Sequence, residues 1–155
     1  MKRAGGDERM GWPSLLLRGA IAGLGAGIGL GLLLKWLQIV TEERVYTLLL
    51  NIDFVPFMPR RLPETAEFAL HLAVSLPLGI LYVWMVESRL RQPMLTGVVL
   101  GLLAALTWIP LTLVSDRVPS TNDGRALLLW MLGHLCYGLL LSLFVRRGRL
   151  EAGRH

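Results

Sequence analysis

Thirteen residues near the start of the chain, Gly19 to Gly31 (GAIAGLGAGIGLG), constrain what it can become more than any other stretch. Glycine recurs at every fourth position, Gly19, Gly23, Gly27 and Gly31, as three overlapping G-x-x-x-G units; Gly25 and Gly29 add a fourth on a neighbouring strip. A glycine inside a water-exposed helix costs about 1 kcal/mol relative to alanine, and six of them would melt the helix there. In a bilayer the backbone has no water to bond to and stays helical. Glycine then forms a groove in which another helix can lie close. The stretch predicts a membrane helix made for close packing.

The rest of the chain agrees. Hydrophobic residues make up 54% of it and charged residues 17%, against about 25% charged in ordinary soluble proteins. The charges avoid four apolar runs of about 20 residues, the length a helix needs to cross some 30 Å of hydrocarbon. The net charge of +5 sits at the ends of these runs, where it orients a membrane protein and does not argue for nucleic acid. The single cysteine, Cys136, lies within an apolar run, reads as a small hydrophobe and allows no intrachain disulfide. Lys2 and Arg3 precede an apolar segment as in a signal peptide, but Leu32-Leu33-Leu34-Lys35-Trp36 is a poor cleavage site. The segment is expected to be a retained span.

These features predict an all-α polytopic membrane protein with spans at about 14–39, 63–86, 93–114 and 124–145, and polar tails at 1–13 and 147–155. Arg18 and Lys35 stand about 25 Å apart along the first helix, so each can reach its own interface. Between spans one and two, segment 40–62 carries Thr41 as an expected N-cap, with Glu42 and Glu43 in a favourable first turn. Val45, Leu48, Leu49 and Ile52 follow at helical spacing. An interfacial amphipathic helix is expected here, followed by a loop with Phe54, Pro56, Phe57 and Pro59. Pro63 and Pro93 suit the starts of spans two and three, and Pro110 should bend the far end of span three. Asn122 or Asp123 should cap span four. Gly97, Gly101 and Ala105 repeat the small-every-four pattern, which makes span three the first expected partner of the glycine groove. Ten of the sixteen Lys and Arg residues fall on the side of the termini, so both termini are expected in the cytoplasm.

Chemistry could reside on two stripes. Glu67, His71 and Ser75 stack on one face of span two, and His134, Gly138 and Ser142 on one face of span four. Ionisable groups inside a span should face the bundle, and His71 and His134 fall at similar depth. The expectation is that they face each other. Four roles fit these residues. They could ligate a metal or haem, with Glu67 fixing the tautomer of His71. They could relay protons or bind a solute in a small transporter or channel component. Glu67 and His71 could be an acid–base pair, although no nucleophile or H-E-x-x-H accompanies them. The fourth role is interhelical hydrogen bonding, with Glu67 an interfacial carboxylate near a helix N-terminus. The tryptophans Trp12, Trp36, Trp84 and Trp130 and Tyr82 read as interface anchors or packing.

The segments Val45–Asp53 (VYTLLLNID), Glu67–Leu72 (EFALHL) and Gly133–Gly138 (GHLCYG) together resemble those of uncharacterised small four-span membrane proteins of spore-forming Gram-positive bacteria. The resemblance implies a bacterial inner-membrane location and four helices, and transfers no catalytic residue. The reading favoured on the sequence is a non-enzymatic component whose glycines mediate helix packing and self-association. The lipid bilayer and a second copy of the chain are its expected partners, and no cofactor is expected.

Overall fold

The computed structural model describes residues 11–53, 62–88 and 92–152, with side chains as far as Val145. All regular elements among them are helical: α1 (Trp12–Thr41), α2 (Val45–Leu49), α3 (Glu64–Ser88), α4 (Pro93–Ala105), α5 (Trp108–Leu113) and α6 (Gly124–Ala152). Four are long and apolar enough to span a bilayer: α1, α3, α4 with α5, and α6 as far as Val145. Their outward faces expose large apolar side chains, among them Leu17, Ile21 and Leu32 on α1, Val74 and Leu81 on α3, Val99 and Leu103 on α4, and Leu128 and Leu132 on α6. Soluble monomers do not carry an apolar girdle of this extent. The chain is a multi-pass membrane protein.

The glycine groove of α1 is filled by α3, the second span, and not by the third. The two helices run antiparallel with Gly19 against Ile80, Gly23 against Ser75 and Leu76, Gly27 against Ser75 and Leu72, and Gly31 against the Phe68 ring. A Cβ at Gly19 would lie 2.5 Å from the Ile80 Cα, and one at Gly23 2.5 Å from the Ser75 carbonyl oxygen. Only a residue without a side chain fits. The second strip faces α6, where Gly25 meets the Phe144 ring and Gly29 meets Leu140. The third span packs instead on α6. Gly97 and Gly138 face each other backbone to backbone, and Gly101 meets the backbone carbonyl of His134. Small residues spaced by four mark a groove, but two such grooves need not be partners.

Salt bridges join neighbouring helix ends. Arg18 pairs with Glu87 at 3.8 Å at the end where α1 begins. Lys35 pairs with Glu64 at 2.6 Å and Arg125 with Glu43 at 3.7 Å at the opposite end. Each of the two positive charges in the first span thus reaches an acid at its own end of the bundle.

Pro110 acts on the third span earlier than its own position. It cannot donate to the Leu106 carbonyl and its ring crowds that group, so the helix breaks between α4 and α5. The chain tightens there, with Leu106 N–H donating to Leu103 O and Thr107 N–H to Ala104 O, both at 3.2 Å, and Ile109 N–H donating to Leu106 O at 3.3 Å. The Ala105 carbonyl loses its helical donor. The indole Nε1–H of Trp130 on α6 replaces it at 2.9 Å.

The segment between spans one and two departs from its expected capping. Thr41 is the last residue of α1, its hydroxyl donating to Leu37 O at 2.7 Å. Glu42 then ends the helix in the left-handed region, φ 66°. The helix that follows, α2, is five residues long and turns Val45, Tyr46 and Leu48 into the end of the bundle. Its N-terminus is capped from outside: Gln38 Oε1 on α1 accepts from the N–H groups of Tyr46 at 3.0 Å and Thr47 at 2.9 Å. At α6 the cap is Asp123, whose Oδ1 accepts from Ala126 N–H at 3.0 Å. The aromatic and proline loop with Phe54, Pro56, Phe57 and Pro59 lies outside the described residues, as do Arg60, Arg61, Arg89 and Arg91.

Candidate functional site

The intramembrane residues His71, Ser75, His134 and Ser142 find partners on helix backbones. His71, half-buried on α3, donates from Nε2 to the Gly27 carbonyl of α1 at 3.1 Å. One turn on, Ser75 donates to Gly23 O at 2.7 Å, and its hydroxyl lies 3.0 Å from the Tyr137 hydroxyl of α6. The glycine groove permits this. Without side chains on α1, its carbonyl oxygens are open to a second donor from α3. Ser75 and Tyr137 then tie three helices together at one level of the bundle.

His134 makes a different set of contacts. It is buried on α6, donates from Nδ1 to Trp130 O one turn back at 3.0 Å, and lies against the Trp130 ring with centroids 4.2 Å apart. Trp130 also contacts Trp108 of α5 at 6.3 Å between centroids. Trp108 Nε1–H in turn donates to Thr121 O at 3.2 Å. His134 therefore belongs to an aromatic column running up to the loop before α6. Ser142, lower on the same face, donates to Leu139 O at 2.7 Å.

Of the four residues singled out from the sequence, Glu67, His71, Ser75 and His134, the first stands apart, while His134 lies near enough to His71 for the two rings to interact electrostatically. His71 and Ser75 are together on the α1 groove. Among the described residues no hydrogen bond joins His71 to His134 or to Glu67. Glu67 turns to the bundle end, where its carboxylate lies 3.9 Å from the Arg117 guanidinium. Arg117 also pairs with Asp53 at 3.6 Å, and its backbone carbonyl accepts from Arg44 at 3.3 Å. Asn51, buried beside Asp53, holds the Asp53 N–H at 3.1 Å and donates to Leu111 O at 3.3 Å. This cluster fastens the α2 segment and the start of α3 to the loop after α5.

Comparison with protein-family models, with curated proteins and with solved structures finds no match. The site must be read from its own chemistry. Among the described residues no three or more His, Cys, Asp and Glu side chains are grouped so as to hold a metal ion.

Beside the Arg117 cluster, Lys35, Tyr46 and Glu64 form a second polar group. The Tyr46 hydroxyl donates to Glu64 Oε1 at 2.9 Å, and Lys35 Nζ lies 5.4 Å from the centre of the Tyr46 ring. Burial, with the Glu64 carboxylate beside it, raises the Tyr46 phenol well above its ordinary pKa and keeps it a donor. Glu67 and Lys35 stand out singly in the sequence, but neither group is legible there as a cluster. Its signal was there, because antiparallel spans bring the ends of segments 35–53, 64–67 and 115–125 together, each carrying charge of the sign its neighbour needs.

Proposed function

We propose that the protein is a non-enzymatic inner-membrane component in which glycines and buried polar groups hold four helices in a closely packed unit, a glycine zipper within one chain. What carries this reading is the use of the polar side chains. His71 and Ser75 each donate to a carbonyl of the glycine helix, and His134 to one of its own helix. For His71 and Ser75 that is the work of interhelical hydrogen bonding, and the His134 bond holds its ring against α6. Both glycine strips of α1 are already occupied by α3 and α6, so a homo-oligomer would assemble through another face.

Flux measurements test it. Vesicles containing the protein should be no more permeable to protons than protein-free vesicles. His71→Leu and Ser75→Ala should each lower thermal stability by about 0.6–2 kcal/mol, the range of intramembrane hydrogen bonds. A proton flux that His71→Leu removes would replace this reading with the transporter one.

Both termini are assigned to the cytoplasm, which the excess of basic residues on their side supports. The resemblance to small four-span proteins of spore-forming bacteria agrees with an inner membrane. Reporters fused after residue 155 and within 115–123 should give opposite locations, and equal locations would overturn the assignment.

A further inference from the structure

Between α1 and α3, at the end where α1 finishes, lies a cavity of about 220 Å³ lined by Gly31, Leu32 and Phe68 and rimmed by Lys35, Tyr46 and Glu64. It is smaller than the roughly 300–1,000 Å³ of pockets that enclose a whole small molecule. It can hold part of a ligand whose remainder lies elsewhere. Leu32, on its wall, belongs to the exposed apolar face of α1, so the remainder would lie in the bilayer. The charged rim stands at the end of the span, the level of lipid headgroups.

We infer that this cavity is a binding site for a phospholipid with a phosphoethanolamine headgroup, the phosphate on Lys35 and the ammonium on Glu64. The rim carries one cation and one anion side by side, 2.6 Å apart, with side chains 47% and 56% exposed. An ion pair that open to solvent is weakly held and can separate around a headgroup. A purely anionic headgroup would take Lys35 and leave Glu64 facing a second negative charge. Phosphoethanolamine brings its own ammonium, which donates charge-assisted hydrogen bonds to the carboxylate. Phosphocholine has the charge but no N–H to donate. Tyr46 fixes the Glu64 carboxylate at the rim through its 2.9 Å hydrogen bond, and Leu32 and Phe68 offer apolar surface to the first part of an acyl chain. The affinity order should be phosphoethanolamine, then phosphocholine, then phosphoglycerol.

The test is lipid retention. The full chain is reconstituted in bilayers of equal parts phosphatidylethanolamine, phosphatidylcholine and phosphatidylglycerol with identical acyl chains. It is then released into mild detergent, and the lipids still bound are quantified by native mass spectrometry. Phosphatidylethanolamine should exceed phosphatidylglycerol by about fivefold, the scale of one net hydrogen bond. Lys35→Met with Glu64→Gln should make retention of the three lipids equal. Leu32→Trp, which fills the cavity from its exposed wall and leaves both charges, should reduce retention of all three. Phosphatidylglycerol retained as well as phosphatidylethanolamine by the unaltered chain would overturn the assignment. So would a phosphatidylethanolamine preference that survives Lys35→Met with Glu64→Gln.

Discussion

Leucine at both Gly23 and Gly27 should leave almost no folded protein in mild detergent. At Gly23 an added Cβ meets the Ser75 carbonyl oxygen at 2.5 Å and the Leu76 Cα at 3.0 Å; at Gly27 it meets Ser75 Oγ at 2.6 Å. Two of these three neighbours are backbone, which cannot swing aside, so α3 must move away bodily. It then loses the hydrogen bonds of His71 and Ser75 to the same two glycines. Overpacking alone costs about 1–3 kcal/mol per site, and the lost bonds add to it. Gly97→Ala or Gly138→Ala should also be severe, because each of these glycines meets the other's carbonyl. Gly29→Ala is the control. Its nearest neighbour is the Leu140 Cδ1, the end of a flexible side chain, with the next atom at 4.0 Å. The loss there should be well under 1 kcal/mol. The measurements are folded yield by size-exclusion chromatography and thermal unfolding. The defect should appear as lost folded protein, with the oligomer size of the remainder unchanged. A stable Gly23→Leu, Gly27→Leu protein would mean that the groove is not filled by α3.

Trp130→Phe is expected to cost about 1–3 kcal/mol, although it keeps most of the ring. The indole N–H is what satisfies the Ala105 carbonyl, left without a helical donor by the break that Pro110 causes. A buried carbonyl without a partner carries its full desolvation cost. The two residues should therefore be coupled. In a Pro110→Ala background the third span can continue as a regular helix, Ile109 N–H can return to Ala105 O, and Trp130→Phe should cost much less. Thermal unfolding of the two single variants and the double variant gives the coupling energy directly. Additive effects would show that Trp130 matters only for its packing against Trp108 and His134. Trp130→Ala, which removes the whole buried ring, should be worse than Trp130→Phe, at about 3–5 kcal/mol.

Class and span placement were legible from the sequence for a simple reason. A helix that must satisfy its backbone within a bilayer needs about 20 apolar residues, and that requirement is local. The glycine stripe was legible as a groove for the same reason, since six glycines in thirteen residues have no use on a lipid-facing helix. The caps at helix ends were partly legible. Asp123 acts at α6 as its position suggests; Thr41 accepts from the Glu43 N–H at 3.3 Å, but it ends the helix before it and caps none after it. The residue that caps α2 is Gln38, a neighbour in space on another helix.

Pairing was decided by tertiary structure alone. Gly97 and Gly101 repeat the pattern of the first span, yet they meet α6, and the groove of α1 receives α3. Small-residue spacing tells how close a helix may approach and carries no label for which helix it will be. The same holds for the polar residues. The spacing of Glu67, His71 and Ser75 put them correctly on one face of a helix, but a helix face does not name what lies opposite each turn. Rotation of α3 against its neighbours gave the glycine carbonyls to His71 and Ser75 and left Glu67 to Arg117, and His134 joined the tryptophan column of α5 and α6. Composition and period are properties of single segments and can be read from one sequence. Partnership depends on how four segments share a limited set of grooves, donors and charges, and only the packed bundle decides it.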